Sequence, residues 1–293
     1  IIQELSGQSF HVYIKEKILD PLGMDRSTLK TDDFYADPNH IVPHWKKPDG
    51  TVEPSRFPYP NPEEIPDFSF IAAAGGITSS VNEMASYLNA HINKGSHERG
   101  RLLGPESFDK MHSIHSKRAD NLYGELGYGY GVGVTPDFHG YKMISHGGSI
   151  LVSTAHMSFI PELKAGVVMM ANSAAPPWGD IAEGIYCTLM GLDPLDAVPS
   201  INVKKKLRLL SGTYETYKGI ERVEVQYKGG MLYLSSKTPF TDTLTPLIAR
   251  DSLLGSTMFY TYVNGVESPV EFQVQENGDI DLYIERYRYH KTR

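Results

Sequence analysis

The stretch from Tyr128 to Asn172, YGYGVGVTPDFHGYKMISHGGSILVSTAHMSFIPELKAGVVMMAN, decides how this chain is built. Its first seven residues, Tyr128 to Val134, alternate glycine with Tyr or Val, and a period of two predicts a strand. Glycines inside a strand mark a close backbone approach or a bulge. Tyr141 to Ser145 predicts another short strand. Ser153 to Ile160 and Ala165 to Ala171 read as the arms of a hairpin that turns through Pro161-Glu162-Leu163-Lys164. Strands joined in this way form an antiparallel sheet.

Helical patterns lie on both sides of it. Phe10, Ile14 and Ile18 recur at four-residue spacing among Lys15, Glu16 and Lys17, which predicts an amphipathic helix over 10–19, with Ser9 as its cap and Pro21 and Gly23 as its stop. Residues 31–70 are rich in Pro, Asp and Asn without a period and read as a long ordered loop. Ser80 and Glu83 have the spacing of a capping box for a helix whose apolar face is Met84, Leu88 and Ile92 and whose end is Lys94-Gly95. Further helices are expected near 105–114 and over 178–191.

The two prolines and weak periodicity of Asp193 to Ser200 mark a domain boundary. Beyond it, six short β-like runs follow at regular spacing: Val223–Tyr227, Met231–Leu234, Leu244–Ile248, Met258–Val263, Val270–Gln275 and Ile280–Arg286. Gly229-Gly230, Asn264-Gly265 and Asn277-Gly278-Asp279 punctuate them. This pattern predicts a small antiparallel sandwich or barrel. The expected fold class is α+β: an antiparallel sheet flanked by helices over 1–198, followed by an antiparallel β-barrel over 206–293. The aromatics Tyr260, Tyr262, Phe272, Tyr283, Tyr287 and Tyr289 belong to barrel core and cross-strand pairs, or line a ligand cavity.

Bulk properties exclude several functions. With 293 residues, a net charge of −7 and only one tight basic run, Lys204-Lys205-Lys206, the chain has no electrostatic footprint for nucleic acid. That run reads as a solvated linker. The single cysteine, Cys187, allows no internal disulfide and reads as a small buried hydrophobe. No apolar run has the length of a membrane span. Among eleven histidines, His112 and His115 could share a helix face and His40 and His44 lie in an aperiodic loop, but no ligand set and no H-E-x-x-H completes a metal site. The glycines at 127–133 do not make G-x-G-x-x-G, and G-x-S-x-G is absent. No cofactor and no metal are expected.

Three segments together resemble a known family. Phe10 to Met24, FHVYIKEKILDPLGM, is similar to a helix and P-L-G-M loop of serine β-lactamase-related, penicillin-binding-protein-like hydrolases (class C-like). Ala73-Ala74-Gly75-Gly76-Ile77-Thr78-Ser79-Ser80 is similar to their A-G-G segment. Ser145-His146-Gly147-Gly148, with the hairpin ending in Val168-Met169-Met170-Ala171-Asn172, is similar to their third active-site element. The order and spacing agree over the first two thirds of the chain. Leu210-Ser211-Gly212-Thr213-Tyr214 resembles the start of the small barrel appended to many relatives.

The resemblance implies hydrolysis of an ester, amide or D-amino-acid peptide bond through an acyl-serine. A Ser-x-x-Lys supplies nucleophile and base, a Tyr-x-Asn loop shuttles the proton, and a Lys-Thr-Gly or His-x-Gly strand borders the pocket. It implies that His146 orients a substrate carboxyl or assists the proton shuttle, and that the Ser149 N–H helps hold the oxyanion. Gly147, Gly148, Gly75 and Gly76 would bind substrate. Ser27-Thr28-Leu29-Lys30 and Tyr87-Leu88-Asn89 match the other two patterns, the first in a loop after P-L-G-M and the second inside a helix. Neither context suits catalysis.

The chain opens on Ile1, without an initiator Met, a signal peptide or an indication of compartment. The reactive segment is therefore expected upstream of Ile1, so that the hydrolase domain is N-terminally incomplete. The alternative is a non-catalytic binding or interaction protein of the same fold. The expected partners are a small-molecule or peptide substrate and, because an incomplete sheet has an open edge, a second copy of the chain.

Overall fold

A computed structural model describes residues 1–56, 72–150, 152–173, 176–237 and 242–292. They form two compact units, Ile1–Ala182 and Glu183–Arg293. No helix among the described residues is long and apolar enough to cross a membrane.

The first unit opens with helices α1 (Ile2–Ser6) and α2 (Phe10–Ile14). The Ser9 hydroxyl caps α2 by accepting the Val12 N–H at 3.4 Å, and the path continues as a π-helical turn, Lys15–Leu19, into the P-L-G-M loop. Ile14, Leu19, Leu22 and Met24 are buried there with Ala90. The region expected to be one loop contains structure: α3 (Thr31–Ala36) and a hairpin of β1 (His44–Lys46) and β2 (Val52–Pro54). Asp32 and Asp33 in the first turn of α3 suit a helix N-terminus, a local signal that a search for apolar period passes over. Residues 57–70 of that expected loop lie outside the described residues.

Helix α4 (Ala72–Gly75) is followed by α5 (Val81–Ile92), the short hairpin β3 (Ser96–His97) and β4 (Gly100–Arg101), and α6 (Pro105–Met111). Six antiparallel strands then follow in sequence order: β5 (Ser116–Asn121), β6 (Gly124–Tyr128), β7 (Gly133–Phe138), β8 (Tyr141–Ser149), β9 (Thr154–Ile160) and β10 (Ala165–Ala171). Register places Gly127, Val134, Ile144, Phe159 and Gly166 in one row across β6 to β10. The apolar members of this row are buried with Leu88 of α5, and Ile114 packs against them. The glycines make this possible. A Cβ on Gly166 would sit 2.0 Å from Leu88 Cδ2, and one on Gly127 would sit 2.4 Å from Ile114 Cγ2. Among the described residues, the two outer strands, β5 and β10, each pair on one side only.

The run Tyr128 to Val134, expected to be one strand, is the junction of two. Strand β6 ends at Tyr128 and β7 begins at Gly133, and between them the Gly129 N–H donates to the Val132 carbonyl at 2.8 Å around Gly131, whose φ is 79°. Glycine on both arms carries the alternation straight through the turn. The close approach that the glycines signal is present, since a Cβ on Gly129 would lie 2.1 Å from the Met111 carbonyl oxygen. The strand expected over 141–145 runs on to Ser149.

Helix α7 (Trp178–Leu189) spans the division between the units in sequence, and α8 (Pro194–Ala197) and α9 (Pro199–Leu210) follow it. The lysine run is therefore part of a helix and not a linker. Lys205 meets Asp196 at 3.1 Å, and Lys206 donates to the Leu253 and Leu254 carbonyls. Val203, Leu207 and Leu210, at helical spacing, face the core of the second unit.

That core fills a closed eight-stranded barrel: β11 (Gly212–Glu215), β12 (Arg222–Lys228), β13 (Met231–Lys237), β14 (Asp242–Ala249), β15 (Met258–Val263), β16 (Val266–Val274), β17 (Ile280–Ile284) and β18 (Tyr287–Lys291). Strand β18 closes it on β11 through Tyr214↔Lys291 and Glu215↔His290. Tyr214, Phe259, Phe272, Leu282 and Tyr289 are buried in it, as expected for a barrel of this size packed with side chains, whereas Tyr262 is exposed. The run expected to continue to Arg286 stops at Ile284. Glu285 takes φ 52° and starts a two-residue turn without glycine or asparagine.

Candidate active site

The end of β8 is the feature that most resembles a binding edge. Pairing of β8 with β7 ends at Ser145↔Gly133, while pairing with β9 continues through His146↔Met157, Gly147↔His156, Gly148↔Ala155 and Ser149↔Thr154. His146 to Ser149 therefore project past β7 and are exposed. The Ile150 N–H donates to the Ser153 carbonyl at 3.0 Å. Amides alternate in direction along an antiparallel strand, so those of Gly147 and Ser149 turn away from β9, toward the side on which β7 has ended.

The His146 imidazole is held from two strands away. Its Nε2 lies 2.8 Å from the Tyr128 hydroxyl. Tyr128 registers with Gly133, which registers with Ser145. The tyrosine thus reaches the end of β8 from β6, with β7 between them. The Arg118 guanidinium of β5 sits 4.4 Å from the centre of the same ring. On β9, paired with Gly147, His156 is held below the usual imidazole pKa by burial and by nearby His146. Its buried Nε2 has no hydrogen-bond partner among the described residues.

The other residues singled out in the sequence lie elsewhere. Gly75 closes α4 and is exposed, Gly76 follows it, and no hydrogen bond among the described residues ties either to His146–Ser149. Just beyond them, Thr78 exchanges backbone hydrogen bonds with Thr28 at 2.9 and 3.1 Å, which fastens this segment to the P-L-G-M loop. Ser27 is buried, and its hydroxyl lies 2.6 Å from the Glu83 carboxylate and 2.7 Å from Ser79 Oγ. Glu83 also accepts the Arg26 N–H at 2.9 Å. The expected capping box is thus half formed. Ser80 caps the Glu83 N–H, but the carboxylate turns to the loop. Ser27 is a structural strut in this arrangement. Tyr87 packs within α5, its ring 4.5 Å from that of His91.

The histidines considered for metal are placed apart. His112 contacts buried His91, with Nε2 and Nδ1 3.0 Å apart. Burial first, and its neighbour second, pushes His91 down to about 3. Burial and then Lys142 push His112 down to about 4. His115 stacks on Tyr130 at 4.0 Å, and His44 joins the Asn172 amide at 3.2 Å. Among the described residues no group of three or more metal-ligating side chains forms.

A family model described as Beta-lactamase matches residues 1–186, and one described as Pab87 octamerisation domain matches residues 194–290. The octameric penicillin-binding protein homologue from Pyrococcus abyssi is 32% identical with a TM-score of 0.84, over 99% of this chain and 62% of that one. An unguisins hydrolase of Aspergillus violaceofuscus is 27% identical over 187 residues, 59% of this chain and 32% of its own length. The chain thus spans less than two thirds of either relative.

Proposed function

The chain belongs to the β-lactamase family, and from that premise we propose that its first unit forms one wall of the pocket of a serine hydrolase acting through an acyl-serine on an ester, an amide or a D-amino-acid peptide bond. The observation that carries this reading is the projecting end of β8, where His146 and two glycines line an exposed strand edge. A substrate acyl group could lie along that edge, with the Gly147 and Ser149 amides directed toward it. His146 would contact the substrate, and Ser149 would donate its N–H to the oxyanion. Gly75 and Gly76 would border the pocket from the segment fastened to Thr28.

In this reading the Ser-x-x-Lys and Tyr-x-Asn elements come from residues outside the present chain. Its span of only 62% of the Pyrococcus abyssi homologue supports that arrangement. The placement of Ser27 does too, since a buried hydroxyl committed to Glu83 has neither access to an acyl group nor a free base. The second unit would assemble copies of the chain, a reading supported by the match of residues 194–290 and by the octameric homologue.

The test uses the whole protein and this chain side by side with a serine-directed acylating probe. The whole protein should be labelled and residues 1–293 alone should not. In the whole protein, Gly148→Val should obstruct the strand edge and slow acylation by about a hundredfold or more, the scale of losing one oxyanion contact. An unlabelled whole protein, or a Gly148→Val variant of undiminished rate, would refute the reading. Light scattering that finds only monomer would refute the assembly role.

A further inference from the structure

The hydrogen bond between Tyr128 and His146 has a chemical direction. A neutral imidazole has one N–H and one bare nitrogen, and the partner of one nitrogen fixes the role of the other. Between a phenol and an imidazole, the phenol is the better donor and the bare ring nitrogen the better acceptor. Arg118 strengthens that preference. A cation over the ring face draws on its π electrons and leaves the hydroxyl a stronger donor. Among the described residues Arg118 has no ion-pair partner, so its charge is directed at this ring. The contact spans the sheet from β6 to the projecting end of β8.

We propose that Tyr128 is a positioning residue for His146. Its hydroxyl donates to Nε2 and holds the neutral imidazole as the Nδ1–H tautomer, which makes His146 a hydrogen-bond donor to a carboxylate or acyl oxygen of the substrate. In this tautomer Nε2 is occupied and Nδ1 carries a proton, so neither nitrogen is available to accept one. His146 then does not act as the general base, and a substrate with an acceptor oxygen at that point is preferred over one with a donor or an apolar group. The role in substrate recognition rests on the hydrolase reading above, whereas the tautomer does not.

The experiment is long-range proton–nitrogen correlation NMR on residues 1–293 labelled with 15N-histidine, at a pH where imidazoles are neutral. His146→Gln assigns the signals by their loss. The expected result is a pyrrole-like Nδ1 and a pyridine-like Nε2 for His146. Tyr128→Phe keeps the ring under Arg118 and removes only the oxygen. It should return His146 to mainly the Nε2–H form that free imidazole prefers, with His156 unchanged as an internal reference. A wild-type His146 protonated on Nε2, or a tautomer indifferent to Tyr128→Phe, overturns the proposal. In the whole protein, Tyr128→Phe should lower kcat/KM by about ten- to a hundredfold for substrates with an acceptor oxygen, the usual scale for such supporting contacts. If the whole protein hydrolyses nothing while the tautomer behaves as expected, the function fails and the positioning stands.

Discussion

Acidification should loosen the first unit well before its carboxylates titrate, and the His91–His112 pair sets the size of the effect. The two rings are buried, 3.0 Å apart at their nitrogens, and enclosed by Phe108 and Phe159. Burial lowers both in the folded chain, to about 3 for His91 and about 4 for His112. Lys142 and Lys94 also lower His112, while Asp109 opposes them. The ordinary imidazole value near 6.5 applies to the unfolded chain. Above it both states are neutral and the pair's contribution is complete. As pH falls below it the unfolded chain binds protons that the folded chain refuses, so stability is lost until the folded values are reached. A pH of about 5 lies about 1.5 units below the unfolded value of each imidazole, and at 1.36 kcal/mol per unit the loss is about 2 kcal/mol each and about 4 kcal/mol together. That figure is insensitive to the folded values, provided both stay below 5. It is a large share of the roughly 5–15 kcal/mol that holds a domain together. Urea unfolding followed by tryptophan fluorescence measures it selectively, because Trp45 and Trp178 both belong to the first unit. The double variant His91→Gln, His112→Gln should lose most of the difference in stability between pH 7.5 and pH 5. Parallel pH dependence in wild type and variant would refute the argument.

Three further changes test other contacts. Gly129→Ala puts a methyl 2.1 Å from the Met111 carbonyl and 2.9 Å from that of Ser113, where only backbone can yield, and should cost at least about 2 kcal/mol in thermal unfolding. Asp281→Asn removes a buried carboxylate shared by Arg288 at 2.7 Å and by His290, both of which stay solvated, and should destabilise the barrel by about 1–3 kcal/mol, read from tyrosine near-ultraviolet circular dichroism. Burial alone would raise the Asp281 pKa, but Arg288 and His290 outweigh it and the net shift is downward. Wild-type barrel stability should therefore hold above the ordinary carboxylate range and fall as pH drops through and below it, a dependence that Asp281→Asn flattens. Ser27→Ala should cost about 1–2 kcal/mol in denaturant titration by leaving Glu83 short of a donor, with probe labelling of the whole protein unaffected. A lost label would restore Ser27 as a nucleophile.

What the sequence made legible was local chemistry. Ser9 as a cap, the hairpin through Pro161–Lys164, and the close approach at Gly129 all depend on residues near one another in the chain. What stayed hidden involves either a conformation without its usual residue or a relation between strands. Glu285 turns the last hairpin at positive φ without glycine or asparagine, so the run from Ile280 reads on through the turn to Arg286 and β18 carries no signal of its own. The apolar face of α9 is three residues wide and interleaved with lysines, which made a helix look like a linker.

The site divides along the same line. His146 to Ser149 could be named from their motif, but their exposure as an overhang depends on where β7 stops, at Gly133, and that endpoint is set by a turn the glycine alternation concealed. Tyr128 was visible only as one member of an alternating strand. Its contact with His146 depends on the register Tyr128↔Gly133↔Ser145, a relation across three strands. The motif could thus supply the identity of the imidazole, while the pairing supplies the hydroxyl that selects its tautomer. Two family members with the same His-Gly-Gly and different residues at the Tyr128 position should accordingly differ in which substrate groups they accept.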